Sequence, residues 1–206
     1  MAVEITEEFV WQSIPPRARN SHKGTFGSVL AVAGSAFYRG AALLAAEGAL
    51  RTGAGIVTLA SVEPVVSAAV TRLPECCLCP CKEGAQGGIA PENVPLLRRQ
   101  KATVLLLGSG LGGTAQSAAR AAETRTLVQQ LGSVGIPLSV MPNAGYPVVT
   151  RTQVKYQGRP EYFARELGRL AAEGTVQILG GCCGTTPAHI AALRAELDRL
   201  PVAKKT

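Results

Sequence analysis

The chain has 206 residues, 47% hydrophobic and 17% charged, with 23 Gly and a formal net charge of +7; it can hold one α/β domain, alone or with an appendage, but not two full enzymes. No apolar run approaches the roughly 18 residues of a spanning helix, and residues 1–16 lack the basic start and apolar stretch of a secretory signal, so a cytoplasmic protein that engages no membrane is expected. The basic residues are scattered from Arg17 to Arg169 without interleaved aromatics, which reads as solvated surface rather than a nucleic-acid patch.

Residues 28–33 are a β-rich apolar run stopped by Gly34, and residues 38–52 read as an Ala- and Leu-rich helix closed by Gly53. Residues 55–60 (GIVTLA) form a second buried strand, 62–70 a helix, and 102–107 (ATVLLL) a third strand that runs into glycines. Residues 73–92 hold four of the six cysteines among Pro and Gly with no clear period, and are expected as loop or irregular edge structure. A helix is predicted over 114–131 and a strand over 136–140. Residues 160–172 read as an amphipathic helix with Tyr162, Phe163, Leu167 and Leu170 on one face, followed by a strand over 176–179. The last helix has Thr186 as N-cap (Thr185 is the adjacent candidate), Pro187 at its first position, and Ile190, Leu193 and Leu197 as its apolar stripe. This alternation predicts an α/β fold, a three-layer parallel sheet with helices on its faces.

Ligands of such sheets sit outside the carboxyl ends of the strands. Two strand ends here open into Gly/Ser loops, residues 34–40 and 108–113, though neither is a Rossmann G-x-G-x-x-G or a Walker A loop. Such glycines serve tight packing turns as readily as close approach to phosphate. The cysteines lie in two clusters, Cys76, Cys77, Cys79, Cys81 and then Cys182, Cys183, which in a reducing compartment are thiols or metal ligands before they are disulfides. Cys182 and Cys183 follow a predicted strand, with glycines on both sides and a capped helix behind. Vicinal thiolates in that setting can supply two ligands to a tetrahedral Zn²⁺ that activates a substrate thiol; inert core thiols are the alternative. His189 reads as an ordinary surface or boundary side chain, and Asn143 as an organiser of the PNAG turn.

The strings themselves are more specific than their glycine count. HKGTFGSVLAVAGS, YRGAALLAAEGALRTGAGIVTLA and VLLLGSGLG resemble the ADP-dependent NAD(P)H-hydrate dehydratase family over roughly residues 17–138. The resemblance implies a ribokinase-like fold, ADP or ATP as cofactor, and hydrated NAD(P)H as a small-molecule nucleotide substrate that is dehydrated to NADH or NADPH. It puts the hydrated nicotinamide near Gly40 and Ala41 and near the GSG turn, Gly108 and chiefly Gly110, with Gly112 following. Lys23 is a candidate phosphate contact, or an exposed lysine with no task. Ser109 stands where the family usually has Pro. The family's D-A-D strand end, its basic phosphate stretch and the G-G-T-G-D loop with the catalytic Asp have no counterpart in this chain. No catalytic residue is therefore assigned, and dehydratase activity is expected to be weak or lost, because general acid catalysis and phosphate stabilisation lack their main groups.

PLSVMPNAGYPVV, the EYFA helix and ILGGCCGTTPAHI resemble the end of the homocysteine S-methyltransferase (methionine synthase) barrel over about residues 137–197. That resemblance implies a β-α-β-α fragment of TIM-barrel type and Cys182 and Cys183 as two Zn²⁺ ligands, the third sulfur coming from an earlier segment that this chain replaces. A barrel closes with eight strands and this stretch offers about two, so methyl transfer is not expected of the chain alone. The expected organisation is a truncated ribokinase-like part, 1–138, and a methyltransferase-like fragment, 139–206, joined near IPL where one strand serves both. A noncatalytic nucleotide-binding fusion is the third reading, and homo-oligomerisation stays open. Whether one continuous sheet spans residues 28–179 is the deciding observation, and two disconnected pieces favour a fusion of fragments.

Overall fold

The computed structural model describes residues 6–14, 16–111, 126–127, 129–131, 138–142, 144, 147–149, 153–156, 158–174, 176 and 178–200. Its elements are α1 (Glu7–Ser13), β1 (Ser28–Val32), α2 (Arg39–Arg51), β2 (Ile56–Val62), α3 (Glu63–Arg72), β3 (Cys77–Cys81), α4 (Val94–Arg98), β4 (Val104–Leu107), β5 (Leu138–Val140), β6 (Pro147–Val149), β7 (Val154–Tyr156), α5 (Pro160–Ala172), β8 (Ile178–Leu179) and α6 (Pro187–Leu197). The α1 and α4 helices and the antiparallel β6–β7 pair were not among the predicted elements. Of the helix predicted over 114–131, residues 126–127 and 129–131 are helical, with Leu127 and Leu131 buried; the remainder lies outside the described residues. No described helix is long and apolar enough to cross a membrane.

Six strands pair in parallel in the order β3-β2-β1-β4-β5-β8. Their Val, Leu and Ala runs suit a sheet covered on both faces. The crossovers through α2 and α3 step from β1 to β2 to β3, whereas those through α4 and α5 step the opposite way. Right-handed connections therefore put α2 and α3 on one face and α4 and α5 on the other. Ala42 and Ala46 of α2 are fully buried, and these short side chains let the helix lie close on β1 and β2.

Strand β5, next to the edge strand β8, carries the seam. It pairs with β4 through Leu105↔Leu138 and Leu107↔Val140, and with β8 through Ser139↔Ile178 and Val140↔Leu179. A single sheet thus runs from β3 to β8, and the expected boundary between residues 138 and 139 falls inside β5. One hydrophobic cluster joins Leu30, Leu59 and Leu105 from the front to Leu138, Phe163, Leu167 and Leu193 from the back.

Three local expectations are corrected. Within residues 73–92 the cysteine stretch forms β3, with Cys79 and Cys81 buried and Cys77 and Pro80 exposed. Cysteine here acts as a small apolar side chain in a period-2 pattern, and Pro80 is tolerated because β3 is an edge strand. Tyr162 is exposed, with the Arg165 guanidinium 5.5 Å from its ring centroid, while Phe163, Ala164, Leu167 and Gly168 form the buried face of α5. His189, expected as a surface or boundary side chain, is buried, and Ile190, expected in the apolar stripe, is exposed. The His189 ring meets Phe163 edge-on at 5.5 Å, its Nδ1 accepts from the Thr186 backbone N–H at 3.2 Å, and its Nε2 lies 3.0 Å from the Gly158 carbonyl. Histidine gains two polar partners there that isoleucine cannot use.

Candidate active-site crevice at the carboxyl edge

The direction of the crossovers reverses between β1 and β4. At such a point the loops leaving two adjacent strands belong to connections that step apart, and a crevice opens outside the strand ends. Its walls here are residues 34–40 and 108–111. The Gly34 N–H donates to the Ser109 carbonyl at 2.8 Å, and the Ser109 hydroxyl donates to the Ala41 carbonyl at 3.1 Å. Below them, buried Ser61 donates to the Ala33 carbonyl at 2.6 Å, and buried Ser35 accepts from the Tyr38 N–H at 3.3 Å.

Gly110 has φ +73°, and a Cβ there would stand 2.8 Å from the Ala41 Cβ and 2.9 Å from the Tyr38 Cβ. Only glycine lets the turn seat against the first turn of α2. Gly110→Ala is expected to cost on the order of 1–3 kcal/mol and to push the two walls apart, read as a lower denaturation midpoint. At Gly40, by contrast, a Cβ would meet nothing within 4 Å. That side of the α2 N-terminus is open, and its first-turn N–H groups have no partner inside the helix.

A third wall comes from the region expected to be irregular. Residues 83–89 are closed by a Glu83↔Ile89 bridge, and the Gly87 carbonyl accepts from the Ala36 N–H at 2.8 Å. Buried Asn93 holds the base of this loop: its Oδ1 accepts from the Lys82 N–H at 2.8 Å, and its Nδ2 donates to the carbonyls of Lys82 at 2.9 Å and Ala90 at 2.7 Å. The sequence reading missed this wall because its anchor is one polar residue eleven positions from its partner.

The structure brings Gly40, Ala41, Gly108 and Gly110 together at this edge. Gly112 and Asn143 lie outside the described residues. Lys23 opens the 3-10 turn Lys23–Phe26 that leads into the first residue of β1, so it sits at the amino edge of the sheet. A five-residue strand, about 16 Å long, separates it from the glycine turns. The cation beside the crevice is instead Arg39, at the first position of α2, whose Nε donates to the Ala36 carbonyl at 3.0 Å. Its signal in the sequence was its place in YRG, next to the candidate glycine.

Acid groups are sparse. The chain has one aspartate, Asp198, which caps the C-terminal end of α6 and pairs with Arg194, whose hydrogen bonds hold its carboxyl below the usual range. Because α6 starts behind the 180–184 loop at the carboxyl edge, its eleven residues carry Asp198 about 16 Å along the helix axis away from that start. Glu63, which begins α3 beyond β2, accepts from the Ser67 hydroxyl at 2.7 Å.

Cys182 and Cys183 follow β8 at the same carboxyl edge, with β5 between β8 and β4. The Cys182 N–H donates to the Pro142 carbonyl at 2.9 Å and the Ala144 N–H to the Cys183 carbonyl at 2.9 Å, which pins their loop to the exit of β5. The sulfurs are 3.9 Å apart, near the roughly 3.8 Å that two Zn–S bonds of ~2.3 Å make in a tetrahedron. Yet no group of three His, Cys, Asp or Glu among the described residues is placed to hold a metal. The other cysteines lie on or beside β3, at the opposite edge of a six-stranded sheet, about 24 Å away. Zinc therefore does not fit this donor set. Cys76, Cys79 and Cys81 are core thiols whose burial raises their pKa, that of Cys81 to about 12.

Known proteins match the two halves separately. The family profile described as NAD(P)H-hydrate dehydratase matches residues 29–133, and that described as homocysteine S-methyltransferase matches residues 101–197; both include β4. The chain is 38% identical over 111 residues to the ADP-dependent (S)-NAD(P)H-hydrate dehydratase of Listeria monocytogenes serovar 1/2a, a match covering 53% of this chain and 37% of that enzyme. It is 48% identical over 65 residues to methionine synthase of Mycobacterium tuberculosis, covering 32% of this chain and 6% of that protein. A ribokinase-like superfamily protein from Enterococcus faecalis has the same fold over 94% of this chain and 62% of its own, with a TM-score of 0.57 at 18% identity. The chain thus spans little more than a third of the dehydratase it matches. With just over half of the chain inside the dehydratase profile, on a ribokinase-like sheet, this chain belongs to the NAD(P)H-hydrate dehydratase family and carries a methionine synthase-like segment behind it.

Proposed function

We propose that this chain binds a nicotinamide nucleotide in the crevice between β1 and β4, and that ADP- or ATP-dependent dehydration of hydrated NAD(P)H is weak or lost in it. The observation that carries this reading is the closure of residues 34–40 onto the GSG turn, through Gly34 to Ser109 and Ser109 to Ala41, with the α2 N-terminus open at Gly40. Gly40, Ala41 and Gly110 offer backbone to the nicotinamide, since none of the three puts a long side chain in its way. The first-turn N–H groups of α2 and the Arg39 guanidinium meet phosphate, as helix N-termini and arginine forks do. Lys23 takes no part, because it lies at the other edge. The Listeria relative is named as ADP-dependent, which supports an adenine nucleotide as the second ligand.

Calorimetric titration with NADH and with hydrated NADH tests the reading. Arg39→Ala is expected to weaken binding on the order of tenfold, the loss of one charge-assisted hydrogen bond, while Lys23→Ala leaves it unchanged. Failure of the native chain to bind either nucleotide, or an equal loss in both variants, overturns it.

A further inference from the structure

We propose that Cys182 and Cys183 form a chelating dithiol site for one three-coordinate thiophilic centre, of the class represented by trivalent arsenic in a monosubstituted arsenical. Three observations on this loop point there. The sulfurs stand 3.9 Å apart on a loop held by backbone hydrogen bonds at Cys182, Cys183 and Thr185. Cys183 is exposed and Cys182 half-buried, so a reagent from solvent reaches the pair. Among the described residues no third side chain completes a metal site, which removes the ligand that zinc needs and leaves one that trivalent arsenic does not need, since its own organic substituent fills the third position.

Geometry separates this ligand from the simplest competitor, a disulfide. Adjacent residues hold their Cα atoms about 3.8 Å apart, short of the roughly 4.4–6.8 Å a disulfide adopts, so direct S–S closure is strained. One bridging atom removes that strain, because two bonds comparable to the ~2.3 Å zinc–sulfur bond reach across the observed gap. The remaining cysteines do not offer the same arrangement. Cys76 is buried and donates to the Val57 carbonyl at 3.3 Å while its neighbour Cys77 is exposed, and Cys79 and Cys81 are both buried against the sheet.

With phenylarsine oxide the step balances without a redox partner. Two As–S bonds form, the As–O bond breaks, the two thiol protons leave with the oxygen as water, and arsenic stays trivalent. The test is a titration of the reduced, full chain followed by intact mass and thiol counting. The expected result is one adduct per chain, two reactive thiols lost, resistance to excess monothiol and release by 2,3-dimercaptopropanol, with peptide mapping that puts the arsenic on the Cys182–Cys183 peptide. Cys182→Ser and Cys183→Ser are each expected to weaken capture on the order of 100-fold, the loss of an intramolecular second bond, while Cys77→Ser leaves it intact. The map of the native chain decides the matter should a variant not fold. Absence of an adduct, an adduct mapped to the β3 cysteines, or undiminished capture by a folded Cys182→Ser chain overturns the proposal.

Discussion

Replacing Leu138 by alanine is expected to lower stability by about 2–5 kcal/mol and to weaken the front and back of the chain together. Leu138 is fully buried and sits opposite Leu105 on the one strand that pairs with both β4 and β8. Its side chain belongs to the cluster that includes Leu59 and Leu107 on one side and Phe163 and Leu193 on the other. Large-to-small changes at such a site lose both transfer energy and packing, because neighbours on a sheet cannot collapse into the space. Hydrogen exchange under mild denaturant checks the claim. Amides of β1 and β2 should lose protection in step with those of α5 and α6. Protection retained by β1 and β2 while α5 and α6 open first would show two units merely in contact.

The second large effect concerns turnover. Supplied with hydrated NADH and ADP, the chain is expected to form NADH at least about 10²–10⁴-fold more slowly than its longer relatives, the typical contribution of a positioned general acid or base. The physical reason is placement. The one aspartate lies at the far end of α6, tied to Arg194. Walls 34–40 and 108–111 hold no Asp or Glu, and Glu83 of the third wall is exposed at the base of its loop, so among the described residues no buried carboxylic acid stands in the walls to deliver a proton. Asp198→Asn should leave any residual rate as it is. Appearance of the reduced-nicotinamide absorbance at the rate of a longer relative would sink this expectation, while leaving the binding proposal standing.

The walls of the proposed nicotinamide crevice come from β1, α2, the 83–89 loop and β4, all within the dehydratase-like part. The methionine synthase-like segment supplies the part of the carboxyl edge beyond β5, where the chain presents two thiols on a glycine-rich loop. A sheet accommodates both stretches because parallel β-α units are added with the same handedness whatever family they resemble. Side-chain chemistry at the strand ends is not preserved by that rule.

From the amino-acid pattern alone, the β1, α2, β2, α3, β4, β5, α5, β8 and α6 segments were legible, as were the two glycine turns, the strand shared near IPL and the strings that resemble each family. These are local properties: the period of apolar residues sets the element and its buried face, and a Gly/Ser turn after a strand marks a ligand edge wherever the sheet is parallel. Only the tertiary structure decided what depends on pairing between distant residues. It fixed the partners of the shared strand β5 as β4 and β8, set the two cysteine clusters at opposite edges, placed Lys23 at the amino edge and Arg39 beside the crevice, and turned His189 inward onto Phe163. Strand order converts positions in a chain into distances across a sheet, at about 4.8 Å per strand; no local pattern encodes that order, so the reach of each side chain was settled by the fold.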